Sequence, residues 1–79
     1  MQYLVDLRNI NDLMDFVKEL GEHIVGDVDA SRGRYTVDAR SLLAMMSFCT
    51  EPIEVTLLSD DKRDAICFEH LCKKYLLRS

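Results

Sequence analysis

Apolar and polar positions change period several times along the chain, and each change marks an element. Gln2-Tyr3-Leu4-Val5-Asp6-Leu7 is short and apolar-rich, with Tyr3, Val5 and Leu7 at every second position, which predicts a strand over residues 2–7. Steps of three and four follow. Ile10, Leu13, Met14, Phe16, Val17, Leu20 and Ile24 form the apolar stripe of a helix. Asn9 or Asn11 can cap its start, Asp12 and Asp15 suit the positive end of its dipole, and Gly21 is the first stop signal. From Ile24 the period is two again, with Ile24, Gly26 and Val28 alternating with Val25, Asp27 and Asp29. Ser31-Arg32-Gly33 then turns the chain into Arg34-Tyr35-Thr36-Val37-Asp38. Two alternating runs around a glycine predict a β-hairpin, with Gly33 supplying the positive φ of the turn.

Ser41 opens a short apolar segment, Leu42-Leu43-Ala44-Met45-Met46, of strong helix formers behind a good N-cap residue. One or two helical turns are expected through Ser47. Cys49-Thr50-Glu51-Pro52 reads as a connection, with Pro52 at the start of a strand. Ile53-Glu54-Val55-Thr56-Leu57 alternates cleanly and is the plainest strand in the chain. Ser59-Asp60-Asp61 caps a last helix, with Asp61 and Asp64 near its start and Lys73, Lys74 and Arg78 near its end. Ala65, Phe68, Leu71, Cys72, Tyr75 and Leu76 are its apolar stripe. The order is β-α-β-β-α-β-α, without internal repeat or linker, over one domain of 79 residues. So short a chain suggests a single antiparallel sheet with all helices on one face, an α+β two-layer sandwich.

Composition narrows the function. Formal net charge is −4, and the basic residues are scattered rather than striped with aromatics, which argues against nucleic acid as a partner. No apolar run approaches the ~18–20 residues that span a bilayer, and Met1–Asp6 lacks the basic and apolar regions of a signal peptide. A cytoplasmic protein without a membrane partner is expected. Cys49, Cys67 and Cys72 lie in apolar stretches and read as free, mostly buried thiols. Cys67, His70 and Cys72 do not make a metal site: Cys72 follows His70 by two and points elsewhere on a helix, and no Cys-x-x-Cys pair exists. No metal or cofactor is implied. Gly-rich phosphate loops and nucleophile motifs are absent, so the chain does not read as an enzyme.

Several local patterns resemble the family of HPr, the small phosphocarrier of the bacterial sugar phosphotransferase system. The helix segment Asp15-Phe16-Val17-Lys18-Glu19-Leu20 is similar to the first helix of that family. Gly33 through Asp38-Ala39-Arg40-Ser41-Leu42 resembles its hairpin and the opening of its short helix, and the likeness runs on through Pro52-Ile53-Glu54-Val55. The resemblance implies a four-stranded antiparallel sheet in order 1-4-2-3 with three helices on one side. It also exposes a departure. Counted back from Phe16, the family's phosphorylated histidine falls on Asn9, and the neighbouring Arg and Pro fall on Asn11 and Asp12; residues 1–22 contain no histidine at all. A carboxamide cannot take and hand on a phosphoryl group, and Asp12 would repel one.

The resemblance further implies that Ser41, as an N-cap or as the family's regulatory phosphorylation position, faces partners together with Asn9, Met14, Arg40, Leu42, Met45, Met46 and Phe48. Leu43 belongs to the same apolar run. The expected function is a non-catalytic regulatory or protein-binding module whose partners are phosphotransferase-system or regulatory proteins, itself a monomer or weak homodimer. The alternatives are a genuine phosphocarrier using His23 or His70, or a purely structural or oligomerisation domain, since fold does not fix function.

Overall fold

Alternation along a strand becomes a two-sided sheet only when neighbouring strands agree in register. In a computed structural model describing residues 1–48 and 51–77, they do. Strand β4 (Ile53–Leu57) buries Ile53, Val55 and Leu57 and turns Glu54 outward. It pairs antiparallel with β1 (Gln2–Val5) on one side and β2 (Val28–Arg32) on the other, and β3 (Tyr35–Asp38) completes the order β1-β4-β2-β3. One row of inward residues runs straight across: Tyr3 faces Val55, Val55 faces Ala30, and Ala30 faces Val37. A slip of one residue anywhere would send that strand's share of the row to solvent. The opposite face is polar apart from Leu4, carrying Gln2, Thr56, Asp29 and Asp38 in one row and Glu54, Ser31 and Thr36 in the next.

Three helices cover the inward face: α1 (Ile10–His23), α2 (Leu42–Met46) and α3 (Lys62–Lys73). α1 contributes Leu13, Phe16, Val17 and Leu20 to the core, and α3 contributes Phe68, Leu71 and Cys72. Aromatic rings join the layers. Tyr3 lies 5.9 Å from Phe68, and Phe16 meets Tyr75 edge-on at 5.7 Å. Burial pushes the Cys72 thiol up to about 12, so it is an inert core group; Cys67 is a half-buried free thiol, and Cys49, Thr50 and Arg78 lie outside the described residues.

The structure moves four boundaries. α1 does not stop at Gly21 but runs on to His23, with the Ile24 N–H donating to the Leu20 carbonyl at 3.1 Å. Ile24 is therefore a buried cap residue rather than the start of a strand, and β2 begins at Val28. α3 ends at Lys73, so Tyr75 and Leu76 leave the helical stripe and return along β1. The first strand is also shorter than its pattern, ending at Val5, although Leu7 still points into the core.

The connection between α1 and β2 is held from a distance. Asp64, in the first turn of α3, is buried, and its two carboxylate oxygens accept the N–H groups of Val25 (3.0 Å) and Gly26 (2.8 Å). The same two residues give their carbonyls to the Arg40 guanidinium, at 3.1 and 3.4 Å. Gly26 is needed because the chain passes so close: an added Cβ would lie 2.3 Å from Ser59 Cβ and 2.9 Å from the Asp64 carboxylate. Gly33, at φ +61°, fills the hairpin turn as its sequence requires.

Two stability experiments follow from this connection. Gly26→Ala should lower the unfolding free energy by about 1–3 kcal/mol through overpacking, whereas Gly21→Ala, whose new Cβ meets nothing within 4 Å, should raise it by about 0.5–1 kcal/mol; urea titrations read both. The Val25 N–H holds the Asp64 carboxyl below its ordinary value against the opposing effect of burial, with help from the Gly26 N–H, Ser59 and Arg40. Because that folded-state value is depressed, the contribution of Asp64 is fully present above the unfolded value of about 3.9 and is lost as pH falls through the folded one. The urea midpoint of the native chain should therefore fall more steeply below pH 4 than that of Asp64→Asn.

Candidate functional site

Two helix starts carry the residues singled out in the sequence. At α1 the cap is Asn9 and not Asn11. Asn9 is extended at φ −150° and ψ 173°, its Oδ1 accepts the Asp12 N–H at 2.9 Å, and its carbonyl accepts the Leu13 N–H at 3.1 Å. Asn11 is exposed in the first turn, and Asp12 is half-buried beside it. A shallow cavity of about 300 Å³ adjoins this turn, lined by Asp6, Arg8, Asp12, Lys74, Tyr75 and Leu76. Its cations are already engaged: Arg8 lies 3.8 Å from Asp6, and Lys74 lies 3.3 Å from Glu19. Burial pushes the Tyr75 phenol above its usual value, and the carboxylates of Glu19, Asp12 and Asp15 push it further. The charges lining the α1 start thus balance, Asp6 and Asp12 against Arg8 and Lys74, and each of the two cations lies within 4 Å of a carboxylate.

Both histidines lie elsewhere. His23 occupies the last turn of α1, about 20 Å along the helix from Asn9, and His70 occupies the last turn of α3. They line one cavity of about 450 Å³ with Glu19, Ile66, Cys67, Leu71 and Lys74. Each sits at the negative end of a helix dipole, where a phosphoryl group is disfavoured. Among the described residues no group of three His, Cys, Asp or Glu side chains is placed to hold a metal ion.

At α2, Ser41 is the N-cap, with its Oγ accepting the Ala44 N–H at 3.3 Å, and Ser47 closes the helix by donating from its hydroxyl to the Ala44 carbonyl at 2.6 Å. Arg40 is spent internally on Val25 and Gly26, and its own N–H donates to Asp38. The apolar residues divide by face. Met45 is wholly buried and Phe48 nearly so, which corrects the expectation that they face partners: three apart, they share the side of α2 that packs on α1 and β3. Leu42 is half-buried against the same core. Leu43 and Met46, also three apart, point outward at 84% and 46% exposure.

On α1, Ile10 and Met14 form a matching exposed pair four apart, at 46% and 47%. Because α1 and α2 pack together, these residues give two adjoining helices outward apolar faces. Ile10 was missed as a surface residue because it continues the buried stripe in sequence; only its place in the first turn, beyond the cover of the sheet, exposes it.

No protein-family model matches the chain, and no curated protein sequence matches it. Solved structures do. The chain is similar to HPr-C-His from Thermoanaerobacter tengcongensis, with a TM-score of 0.71 at 16% identity, covering 94% of this chain and 92% of that one. It is also similar to the phosphocarrier protein HPr from Bacillus anthracis, with a TM-score of 0.70 at 22% identity, covering 95% and 93%. No helix among the described residues is long and apolar enough to cross a membrane.

The cap assignment is open to a direct check. Asn9→Ala should cost about 1 kcal/mol in a urea titration, and Asn9→Asp should cost little, since it keeps an acceptor at the cap. The four-stranded antiparallel sheet in order β1-β4-β2-β3, the three helices on its inner face and the likeness to two HPr structures together establish that the chain has the HPr-like fold.

Proposed function

We propose that the chain is a non-catalytic regulatory and protein-docking module of the phosphotransferase-system type, in which Asn9 stands where an HPr phosphocarrier has its phosphorylated histidine. The observation that carries this reading is the α1 start itself. Its cap is a carboxamide already bonded to the Asp12 N–H, and the exposed Ile10, Met14, Leu43 and Met46 lie beside it on α1 and α2. An amide offers no basic nitrogen to attack a phosphoryl donor, while adjoining apolar faces with two methionines suit an adaptable protein interface. Docking needs no phosphoryl transfer.

Ser41 supplies the regulation in this reading. Its half-buried hydroxyl precedes Leu42 and Leu43, and a phosphate there would add about −1.5 to −2 of charge at the border of the apolar face. A protein partner of the phosphotransferase system or its regulation then binds or leaves according to that charge.

The test is intact mass after two incubations. One contains phosphoenolpyruvate and the first enzyme of the phosphotransferase system; the other contains ATP and the kinase that modifies the regulatory serine of HPr. The expected result is no adduct in the first and one phosphoryl adduct in the second, lost in Ser41→Ala. An adduct in the first tube, mapped to His23 or His70, would overturn the non-carrier reading. An unmodified chain in both would remove Ser41 as the switch.

A further inference from the structure

Arg40 stands directly before the Ser41 cap, and its side chain reaches a different part of the molecule. The guanidinium donates to the carbonyls of Val25 at 3.1 Å and Gly26 at 3.4 Å, in the chain just after α1. The N–H groups of the same two residues go to Asp64 in the first turn of α3, at 3.0 and 2.8 Å. The backbone on the other side of Arg40 is pinned as well. The Asp38 carboxylate accepts the Arg40 N–H at 2.9 Å, and the Asp38 carbonyl accepts the Ser41 N–H at 3.0 Å. Ser41 is therefore one peptide away from a side chain that ties the α2 cap to the connection between α1 and β2.

These Arg40 bonds are replaceable. Both acceptors are neutral carbonyls, and the second bond is long. Among the described residues Arg40 is in no ion pair, so no carboxylate in contact holds its charge. An ionised acceptor that offers the planar guanidinium two oxygens binds it more strongly than separate carbonyls do. The carbonyls lose little by release, because water reaches them: Val25 is 86% exposed and Gly26 is half-buried.

A phosphate on Ser41 is such an acceptor, with three oxygens and about −1.5 to −2 of charge at pH 7. It would enter anionic surroundings, since Asp38 precedes it by three residues and faces Asp29 across the β2–β3 ladder. A cation that turns to it is thus favoured twice, by the phosphate and by these carboxylates. Consecutive Cα atoms lie about 3.8 Å apart, and an arginine side chain is longer than that, so rotation about the Arg40 side-chain bonds carries its guanidinium to the neighbouring residue.

We infer that Arg40 is a relay for Ser41: phosphate on the Ser41 hydroxyl draws the Arg40 guanidinium from the Val25 and Gly26 carbonyls, so that modification at the α2 cap loosens the connection between α1 and β2. In that modification the Ser41 Oγ forms a bond to the γ-phosphorus of ATP, the bond from that phosphorus to the bridging oxygen breaks, ADP leaves and the hydroxyl proton passes to solvent. The relay rests on the proposed modification of Ser41 and adds the route by which its charge is felt beyond α2, at a loop that displays Val25 to solvent.

The test uses the full chain made by chemical synthesis with phosphoserine at position 41, which needs no kinase. Titrated by phosphorus NMR, the phosphate should lose its second proton about 0.5–1 pH unit below its ordinary value of about 6, because the guanidinium favours the dianion. Arg40→Gln should return that value towards 6, and Arg40→Lys, which keeps the charge without the planar fork, should keep part of the fall. Hydrogen exchange reads the other end of the relay. The Val25 and Gly26 amides should exchange about tenfold or more faster in the phosphorylated chain than in the unmodified one. In Arg40→Gln they should exchange fast with or without the phosphate, so that the two changes are not additive. Circular dichroism establishes that each chain is folded. A phosphate that titrates alike in the native chain and in Arg40→Gln overturns the inference. So does a phosphate whose titration depends on Arg40 while the Val25 and Gly26 amides stay as slow as before. Failure of the kinase to modify Ser41 counts against the proposed function alone, since the synthetic chain already carries the phosphate.

Discussion

The carboxylate of Asp64 holds the point at which the chain changes from helix to strand. Residues 24–27 have no regular structure of their own, so their backbone groups must find partners elsewhere or remain exposed to water. Asp64 takes the Val25 and Gly26 N–H groups, and Arg40 takes the carbonyls of the same residues. One short loop thereby links the first turn of α3, the end of α1 and the residue immediately before the Ser41 cap. Asp64 itself is buried, so its charge-assisted hydrogen bonds are stronger than exposed ion pairs such as Lys18 with Glu22. The Arg40 bonds thereby tie the residue before the α2 cap to the chain just after α1.

That coupling explains the division of labour within α2. A five-residue helix is too short to be stable alone and exists because tertiary contacts hold it. Met45 supplies those contacts and is wholly buried, with Phe48 following it into the core. Leu43 and Met46 are left over on the other side. A single exposed leucine on a small protein needs no explanation, but paired apolar residues on each of two packed helices make a surface.

Much of this architecture is legible in the sequence because the deciding forces are local. The alternation of Ile53–Leu57, the cap residues Ser41 and Asp61, the Gly33 turn and the helical stripe from Leu13 to Leu20 each depend on residues within a turn or two of one another. What is not legible depends on distant partners. Asp64 looks like an ordinary charge at a helix start until Val25 and Gly26, nearly forty residues away, are brought to it. Gly21 looks like a stop, yet α1 continues because Ile24 gains a buried site by extending it. Met45 and Phe48 could not be separated from Leu43 and Met46 by pattern, since one and a half turns are too few to define a buried face without knowing where α1 and β3 lie. Tyr75 fits the α3 stripe but is drawn to the edge of Phe16 instead.

The same distinction applies to the candidate site. The fold brings the start of α1 beside α2 whatever residue caps α1, so the geometry of a carrier and of a docking module can be identical while their chemistry differs at one side chain. An imidazole at the cap position would present a basic nitrogen to a phosphoryl donor; Asn9 presents an amide whose oxygen is occupied by the helix it begins. The cations beside it, Arg8 and Lys74, lie against Asp6 and Glu19, and the two histidines sit in the last turns of α1 and α3, at negative helix ends. What remains at this end of the molecule is a pair of outward apolar faces on two packed helices, which a carrier and a docking module alike can use to hold a partner.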